Sequence, residues 1–190
     1  MVSAVEKLIH EQLVLRQKQR SGCDRNPVTV VLNSIRSLYN VGSIFRTADG
    51  VGVEKIWLCG ATGHPPRRQI TKTALGAEAR TPWEYRGDVV SVLTQLKKEN
   101  YQIVLLEQTD ESIPYQEFMP QFPVCLVLGN EIEGVDTRLL SFCDNALEIE
   151  MEGVKNSLNV AVAFGIVAYH FKLCLKNLTS AVGGAGTGNT

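Results

Sequence analysis

Three short segments of the chain combine glycines with side chains that could bind or activate a substrate. The first, Asn33–Asp49, has the sequence NSIRSLYNVGSIFRTAD, in which Asn40 and Gly42 stand near the start of a predicted helix that carries Arg46. An arginine at this position could contact a phosphate or a ribose. The spacing alone is equally consistent with an ordinary capped helix whose Arg46 side chain lies in solvent.

The second segment, Gly129–Gly134, has the sequence GNEIEG and places Glu131 between two glycines. Glycine lets a backbone approach a ligand closely, although acidic Gly-Asn turns are also common before helices. The third segment, Met151–Gly165, has the sequence MEGVKNSLNVAVAFG, with Ser157 as a candidate N-cap of an apolar helix. Asn159 would then lie two residues inside that helix, where an unpaired amide costs about 1 to 3 kcal/mol. We therefore expect Asn159 to have a functional partner or a crossing strand beside it.

The rest of the sequence indicates how these segments are positioned. Short apolar runs typical of strands occur at Val28–Leu32, Lys55–Cys59, Tyr101–Leu106, Pro123–Leu128 and Ala146–Ile149. Helices are predicted at Ser3–Arg20, Val41–Gly50, Asp88–Asn100, Asp136–Cys143 and Ser157–Lys176, with Asp88 as a second candidate N-cap. This alternation indicates an α/β domain with a largely parallel sheet covered on both faces. Ligands bind beyond the carboxyl ends of such strands, where the three segments lie.

Basic residues are concentrated in the long, weakly periodic segment Gly60–Arg86, which we expect to face a substrate. Lysines and arginines number 19 against 20 acidic residues, so the formal charge is −1 and any nucleic-acid site must be a local patch. The candidate RNA-binding residues are Arg67, Arg68 and Lys72. His64 in the same segment could touch RNA, but a solvated surface histidine is the more ordinary interpretation.

Composition limits the class of protein. With 190 residues, 44% hydrophobic and 21% charged, the chain fits one compact globular domain. The five scattered cysteines form neither a disulfide framework nor a zinc ligand set, so no metal is expected and a reducing cytosol fits best. The N-terminus lacks the pattern of a secretory signal. The apolar stretch Leu158–Phe171 predicts a buried helix rather than a membrane span.

The three segments together resemble the SpoU or TrmH class of the SPOUT superfamily, the RNA 2′-O-ribose methyltransferases. The resemblance covers roughly Val28–Leu175. The first family motif corresponds to NVGSIFR at Asn40–Arg46, the second to Gly129–Gly134 and the third to Met151–Ala163 around SLNVAVA. Glu150 stands where the third motif usually has a proline, which removes local backbone rigidity.

The resemblance implies a parallel α/β sheet whose C-terminal part forms a deep trefoil knot. It also implies that S-adenosylmethionine is held by the backbone of three loops. The cofactor-binding residues implied are Glu107, Gln108, Leu128, Gly129, Ile149, Met151, Ser157 and Leu158. No GxGxxG sequence follows a predicted strand, so an ordinary Rossmann methyltransferase or dehydrogenase is disfavoured.

The family assigns the activating role to the arginine that corresponds to Arg46. A charged guanidinium has no hydrogen-bond acceptor, so two mechanisms are open. In one, Arg46 acts transiently as the base, helped by an RNA phosphate. In the other, Arg46 orients that phosphate, and the phosphate takes the proton. Asn40 would orient Arg46 or the ribose. Glu131, Ser157 and Asn159 would position cofactor and substrate.

The resemblance also implies a homodimer that acts on structured RNA, with tRNA the first candidate and rRNA the second. Leu158, Val162, Ile166, Tyr169 and Leu173 form one helical stripe that could be core, a two-fold interface or a mixture of both. We expect a helical extension at residues 1–27, the knotted domain at 28–176 and a flexible tail at 177–190. A non-catalytic knotted RNA-binding dimer and a base-methylating SPOUT enzyme remain alternatives.

Overall fold

The computed structural model describes residues 7–20, 25–130 and 134–184. The strands are β1 (Asn26–Asn33), β2 (Val53–Cys59), β3 (Trp83–Arg86), β4 (Gln102–Leu106), β5 (Ile113–Pro114), β6 (Val124–Leu128) and β7 (Asn145–Glu148). The α-helices are α1 (His10–Arg20), α2 (Leu38–Val51), α3 (Arg68–Ala74), α4 (Val89–Lys98) and α5 (Val160–Gly184). Short 3-10 helices lie at Ala77–Ala79, Tyr115–Glu117 and Thr137–Phe142.

The strands form one sheet in the order β3-β2-β1-β6-β4-β7-β5, and every paired neighbour is parallel. All the carboxyl ends of the strands therefore lie along the same edge. The five predicted strands are confirmed, and β3 and β5 were missed. Both are short strands whose residues are not fully buried, so neither has a continuous apolar run.

The sheet is buried on both faces because its central strands are apolar at successive positions. In β1, Val30 and Leu32 face one core, which α2 and α5 cover with Phe45 and Phe164. Val31 faces the opposite core, to which α4 contributes apolar side chains, among them Val92 and Leu93. The predicted sheet with helices on both faces is confirmed.

Several predicted helix boundaries need correction. The helix α2 begins at Leu38 rather than Val41, because the Ser37 hydroxyl accepts a hydrogen bond from the Asn40 amide. Asp88 is confirmed as the N-cap of α4. The helix predicted at Asp136–Cys143 is a 3-10 helix, and the segment Gly60–Arg86 contains α3 and β3 as well as loops. Of the helix predicted at Ser3–Arg20, residues 1–6 lie outside the described residues.

The helix α5 is buried on one face and exposed on the other. Phe164, Val167 and Phe171 are fully buried, whereas Val162 and Tyr169 are each 52% exposed. The prediction of a buried helix is therefore correct for one face and wrong for the other. Residues 160–181 are long and apolar enough to cross a membrane, and 28% of the window that meets this criterion is buried. Core helices of soluble proteins meet the same criterion of length and composition.

Candidate active site

A cleft of about 580 Å³ lies at the carboxyl ends of β4, β6 and β7. Its walls are the loops that follow these strands and the segment that leads into α5. The volume falls within the range of small-molecule sites, about 300 to 1,000 Å³. The position agrees with the expectation that ligands bind at this edge of a parallel sheet.

The cleft brings together almost all residues that the sequence predicts to bind the cofactor. The predicted residues that line it are Glu107, Gln108, Leu128, Gly129, Ile149, Ser157 and Leu158. Met151 is half-buried and is not part of the lining. Sequence positions that are far apart along the chain therefore meet at one site.

The carboxylate of Glu107 holds the loop after β6 in place through hydrogen bonds to backbone amides. One oxygen accepts a hydrogen bond from the Val135 amide at 2.8 Å, and the other accepts from the Gln108 amide at 3.0 Å. Gly134 has a φ of +70°, and a Cβ atom there would collide with the Glu107 carboxylate. Glu107 thus shapes the cleft by fixing loops, a role that its acidic side chain alone did not reveal.

The two glycines of GNEIEG are required because the loop folds back on itself. The Asn130 amide donates to the Gly134 carbonyl at 2.9 Å, and the Gly134 amide donates back at 3.0 Å. A Cβ atom on Gly129 would overlap the backbone of Gly134 and Val135. The Asn130 side chain also donates to the Ser34 carbonyl at 2.9 Å. Glu131, predicted to be catalytic, lies outside the described residues.

Asn159 caps α5 and connects it to α2. Its side-chain oxygen accepts hydrogen bonds from the amides of Ala161 at 2.9 Å and Val162 at 3.4 Å. Its side-chain nitrogen donates to the Asn40 side-chain oxygen at 3.1 Å. The prediction that Asn159 lies inside the helix and Ser157 caps it is wrong, because the helix begins at Val160. The expected partner of Asn159 exists, and it is Asn40.

The segment before α5 is held against the loop after β4. The Gln108 side-chain nitrogen donates to the Asn156 carbonyl at 3.0 Å. Ser157, Leu158 and Asn159 are all exposed at the cleft surface. This segment can therefore contact a ligand while Gln108 and Asn40 fix its position.

Arg46 does not line the cleft. It lies six residues beyond Asn40 on α2, which is about 9 Å along the helix axis. Its side chain is exposed and has no hydrogen bond or ion pair within the described part of the chain. Near Arg46, Thr47 lies beside Gly165 of α5. The guanidinium is thus available to a group from outside this chain.

The predicted RNA-binding residues lie outside the cleft, at the start of α3 and within it. Arg67, Arg68 and Lys72 are exposed, and none of their charged groups is paired with another of the described residues. Arg86 differs, because it and Lys55 both form ion pairs with Glu84 at 2.8 Å. Hydrogen bonds from these two cations lower the pKa of Glu84.

Other lining residues were not predicted individually. They include Thr109, Asn130, Thr137, Asn156 and Ala163. Asn130, Asn156 and Ala163 lie within the second and third motifs, and Thr109 directly follows Gln108, so position in the sequence was the available signal. Over residues 7–20, 25–130 and 134–184, no group of three or more His, Cys, Asp and Glu side chains could hold a metal ion.

Comparison with known proteins places this arrangement in a family. The model of the SpoU rRNA Methylase family matches residues 27–169, which include β1, the cleft loops and much of α5. The chain belongs to the SpoU rRNA methylase family.

Individual family members resemble this chain in sequence and in structure. A tRNA (guanosine(18)-2'-O)-methyltransferase of Aquifex aeolicus is 29% identical over 87% of this chain and 78% of the relative. The crystal structure of an A. aeolicus TrmH/SpoU tRNA modifying enzyme superposes with a TM-score of 0.77 at 26% identity, covering 90% of this chain and 87% of that one.

An AdoMet-bound rRNA methyltransferase from Sinorhizobium meliloti superposes with a TM-score of 0.73 at 27% identity. This match covers 78% of the present chain and 56% of that one. The chain spans between 57% and 78% of the length of the first curated relatives it matches.

Proposed function

We propose that this member of the SpoU family transfers a methyl group from S-adenosylmethionine to a ribose 2′-hydroxyl of structured RNA. The observation that carries the proposal is the cleft, where the second and third family motifs meet and the Asn159–Asn40 hydrogen bond connects them to the first. The relatives named above are RNA methyltransferases or an RNA modifying enzyme, and one of them was solved with the cofactor bound.

The chemistry of the cleft fits S-adenosylmethionine. Apolar side chains of Leu106, Leu128, Leu147 and Ile149 offer a surface for an adenine ring. Backbone groups at the strand ends and the side chains of residues such as Gln108 offer hydrogen bonds to the polar parts of the molecule. Gly129 lines the cleft, and its missing side chain leaves room for the backbone of Gly134 and Val135 to approach closely.

The bound cofactor supplies an electrophilic methyl group on its sulfonium. Transfer of that methyl group to the ribose 2′-oxygen would release the hydroxyl proton, for which an RNA phosphate oxygen would be the acceptor. Asn159 and Asn40 hold α5 and α2 together at the cleft rim, so they can fix the ribose. A charged arginine has no lone pair, and we therefore assign Arg46 to orienting an RNA phosphate.

A homodimer completes this site. The exposed stripe on α5 includes Val162, Tyr169 and Leu173, the last of them 56% exposed, and an apolar stripe of this kind is typical of an isologous interface. Arg46 lies on α2, which packs along α5, and it is absent from the cleft of its own subunit. Pairing through α5 would allow the Arg46 side chain to reach the partner's cleft.

We further propose that the C-terminal part forms the trefoil knot of the family. Support comes from the segment before α5, which follows β7 and returns to contact the loop after β4 through Gln108 and Asn156. The substrate assignment follows the relatives: tRNA first and rRNA second, in the cytoplasm, where these RNAs are modified.

Calorimetric titration with S-adenosylmethionine tests the cleft. In Gly129→Ala the added Cβ overlaps the loop backbone, and we expect cofactor binding to be lost. Gly153→Ala is the matched control, because its Cβ meets no atom within 4 Å. Equal affinities for the two variants would contradict the placement of the cofactor. Transfer of labelled methyl to total tRNA and rRNA then tests the reaction.

A further inference from the structure

An aromatic cluster lies outside the cofactor cleft, where His64 of the loop after β2 packs against Trp83 and Tyr85 of β3. The His64 ring stacks on Trp83 with centroids 6.1 Å apart and an interplanar angle of 23°. The Tyr85 ring lies 4.9 Å from His64, tilted by 43°. Tyr85 remains 43% exposed, and it belongs to β3, the edge strand of the sheet. The cluster therefore presents a ring to solvent.

Backbone acceptors fix two of these rings. The Tyr85 hydroxyl donates to the Gly60 carbonyl at 3.0 Å. The His64 Nδ1 atom is 2.9 Å from the Pro65 carbonyl, which can only accept, so Nδ1 carries the proton. The Nε2 atom has no hydrogen-bond partner among the residues described. Rigid rings lose little conformational entropy when a ligand stacks on them.

Positively charged side chains lie close to the segment that carries His64. The Arg67 side chain passes beside Gly63, the residue before His64, and its guanidinium pairs with none of the described residues. Arg68 and Lys72 follow on α3, also exposed and unpaired within the described ranges. Aromatic surfaces bordered by cations are what proteins use to stack nucleobases while holding the phosphate backbone.

The segment that carries His64 also contacts α2, the helix that carries Asn40. A Cβ atom on Gly63 would overlap the side chain of Leu38, which is two residues before Asn40 on α2. In the strand order, β3 is three places from β6 and four from β4. At about 4.8 Å per strand, the rings lie roughly 15 to 20 Å from the cleft along the same edge.

We propose that His64 and Tyr85 form a stacking subsite for an unpaired base of the RNA substrate, with Arg67 contacting its phosphate. The proposal rests on the proposed RNA methyltransferase function and deepens it, since it names a second contact between the protein and the substrate. A sequence-tolerant stacking contact would help to hold structured RNA whose target ribose lies in the cleft.

The test compares two probes of equal length, a short oligoadenylate and an abasic oligonucleotide, by fluorescence anisotropy. We expect the wild type to bind oligoadenylate more tightly. Tyr85→Leu and, separately, His64→Ala should weaken that binding by about five- to thirty-fold and leave abasic binding unchanged. Tyr85→Phe keeps the ring and should stay within about threefold of the wild type. Arg67→Ala should weaken both probes and reduce the salt slope by about one.

Equal loss with both probes would mean that the rings only support the local fold, and no loss with either would remove them from the RNA surface. Either outcome overturns the subsite, as would a wild type with no preference for oligoadenylate. Cofactor affinity and methyl transfer to tRNA are measured on the same proteins. If the wild type methylates tRNA but the ring variants bind both probes normally, the subsite fails and the enzyme function stands. A wild type that neither binds cofactor nor transfers methyl contradicts the function instead.

Discussion

The side chain of Asn159 performs two tasks that substitution can separate. Its oxygen caps α5, and its nitrogen donates to Asn40 on α2. Serine is as good an N-cap as asparagine but is too short to reach Asn40, whereas alanine can do neither. Asn159→Ser therefore removes the hydrogen bond to Asn40, and Asn159→Ala removes both that hydrogen bond and the cap.

The magnitudes follow from these contacts. A lost side-chain hydrogen bond costs about 1 kcal/mol, and a lost N-cap costs about 1 kcal/mol more. In a chain of this size, 1 kcal/mol shifts the melting temperature by about 2 to 4 °C. Asn159→Ser should melt about 2 to 4 °C below the wild type, and Asn159→Ala about 4 to 8 °C below it.

The rate of methyl transfer should not follow the order of stability of the two variants. Both variants lose the hydrogen bond to Asn40, so each should slow transfer by a similar factor, at least about fivefold for 1 kcal/mol of lost positioning. Thermal melting by circular dichroism and initial rates with saturating cofactor measure the two effects. Wild-type rates for Asn159→Ser would refute the connection, and equal melting temperatures of the two variants would refute the cap.

Further substitutions test other parts of the site. Arg46→Ala should abolish methyl transfer with little change in cofactor affinity by calorimetry, and equal loss of both would refute a role on the RNA side. Glu107→Gln replaces one of two charged acceptors with a donor and should weaken cofactor binding about tenfold or more; unchanged affinity would contradict loop bracing. Replacing Arg67 and Arg68 with alanine should flatten the salt dependence of RNA binding, and an unchanged slope would place them outside the interface. Burial raises the pKa of the Cys59 thiol to about 12, so iodoacetamide at neutral pH should leave this thiol unmodified in the folded protein. Peptide mass spectrometry measures the labelling, and rapid modification of Cys59 would contradict its burial.

The central strands could be predicted because burial on both faces leaves continuous apolar runs. The edge strand β3 was not predicted, because three of its four residues are only partly buried and the fourth, Tyr85, is exposed. Polar and charged side chains such as Glu84 and Arg86 stabilise this strand through an ion pair at 2.8 Å. Contacts of this kind depend on tertiary neighbours that no local pattern contains.

The sequence predicted which loops form the candidate site better than it predicted what each residue does there. Motif order identified Gly129, Ser157 and Asn159 as neighbours, and the cleft brings them together. The start of α5 was wrong because Ser157 and Asn159 are both good caps, and the hydrogen bond to Asn40 comes from a residue far away in sequence. The role of Glu107 depends on the Val135 amide, which only the folded chain places beside it.

The most direct test of the central claim is nucleoside analysis of RNA labelled by this protein. Purified protein, labelled S-adenosylmethionine and total tRNA or rRNA are incubated, and the RNA is digested to nucleosides. We expect a labelled 2′-O-methylnucleoside, most abundantly from tRNA. A methyl group on a base nitrogen or carbon, or no transfer to either RNA by a protein that binds the cofactor normally, would contradict this expectation.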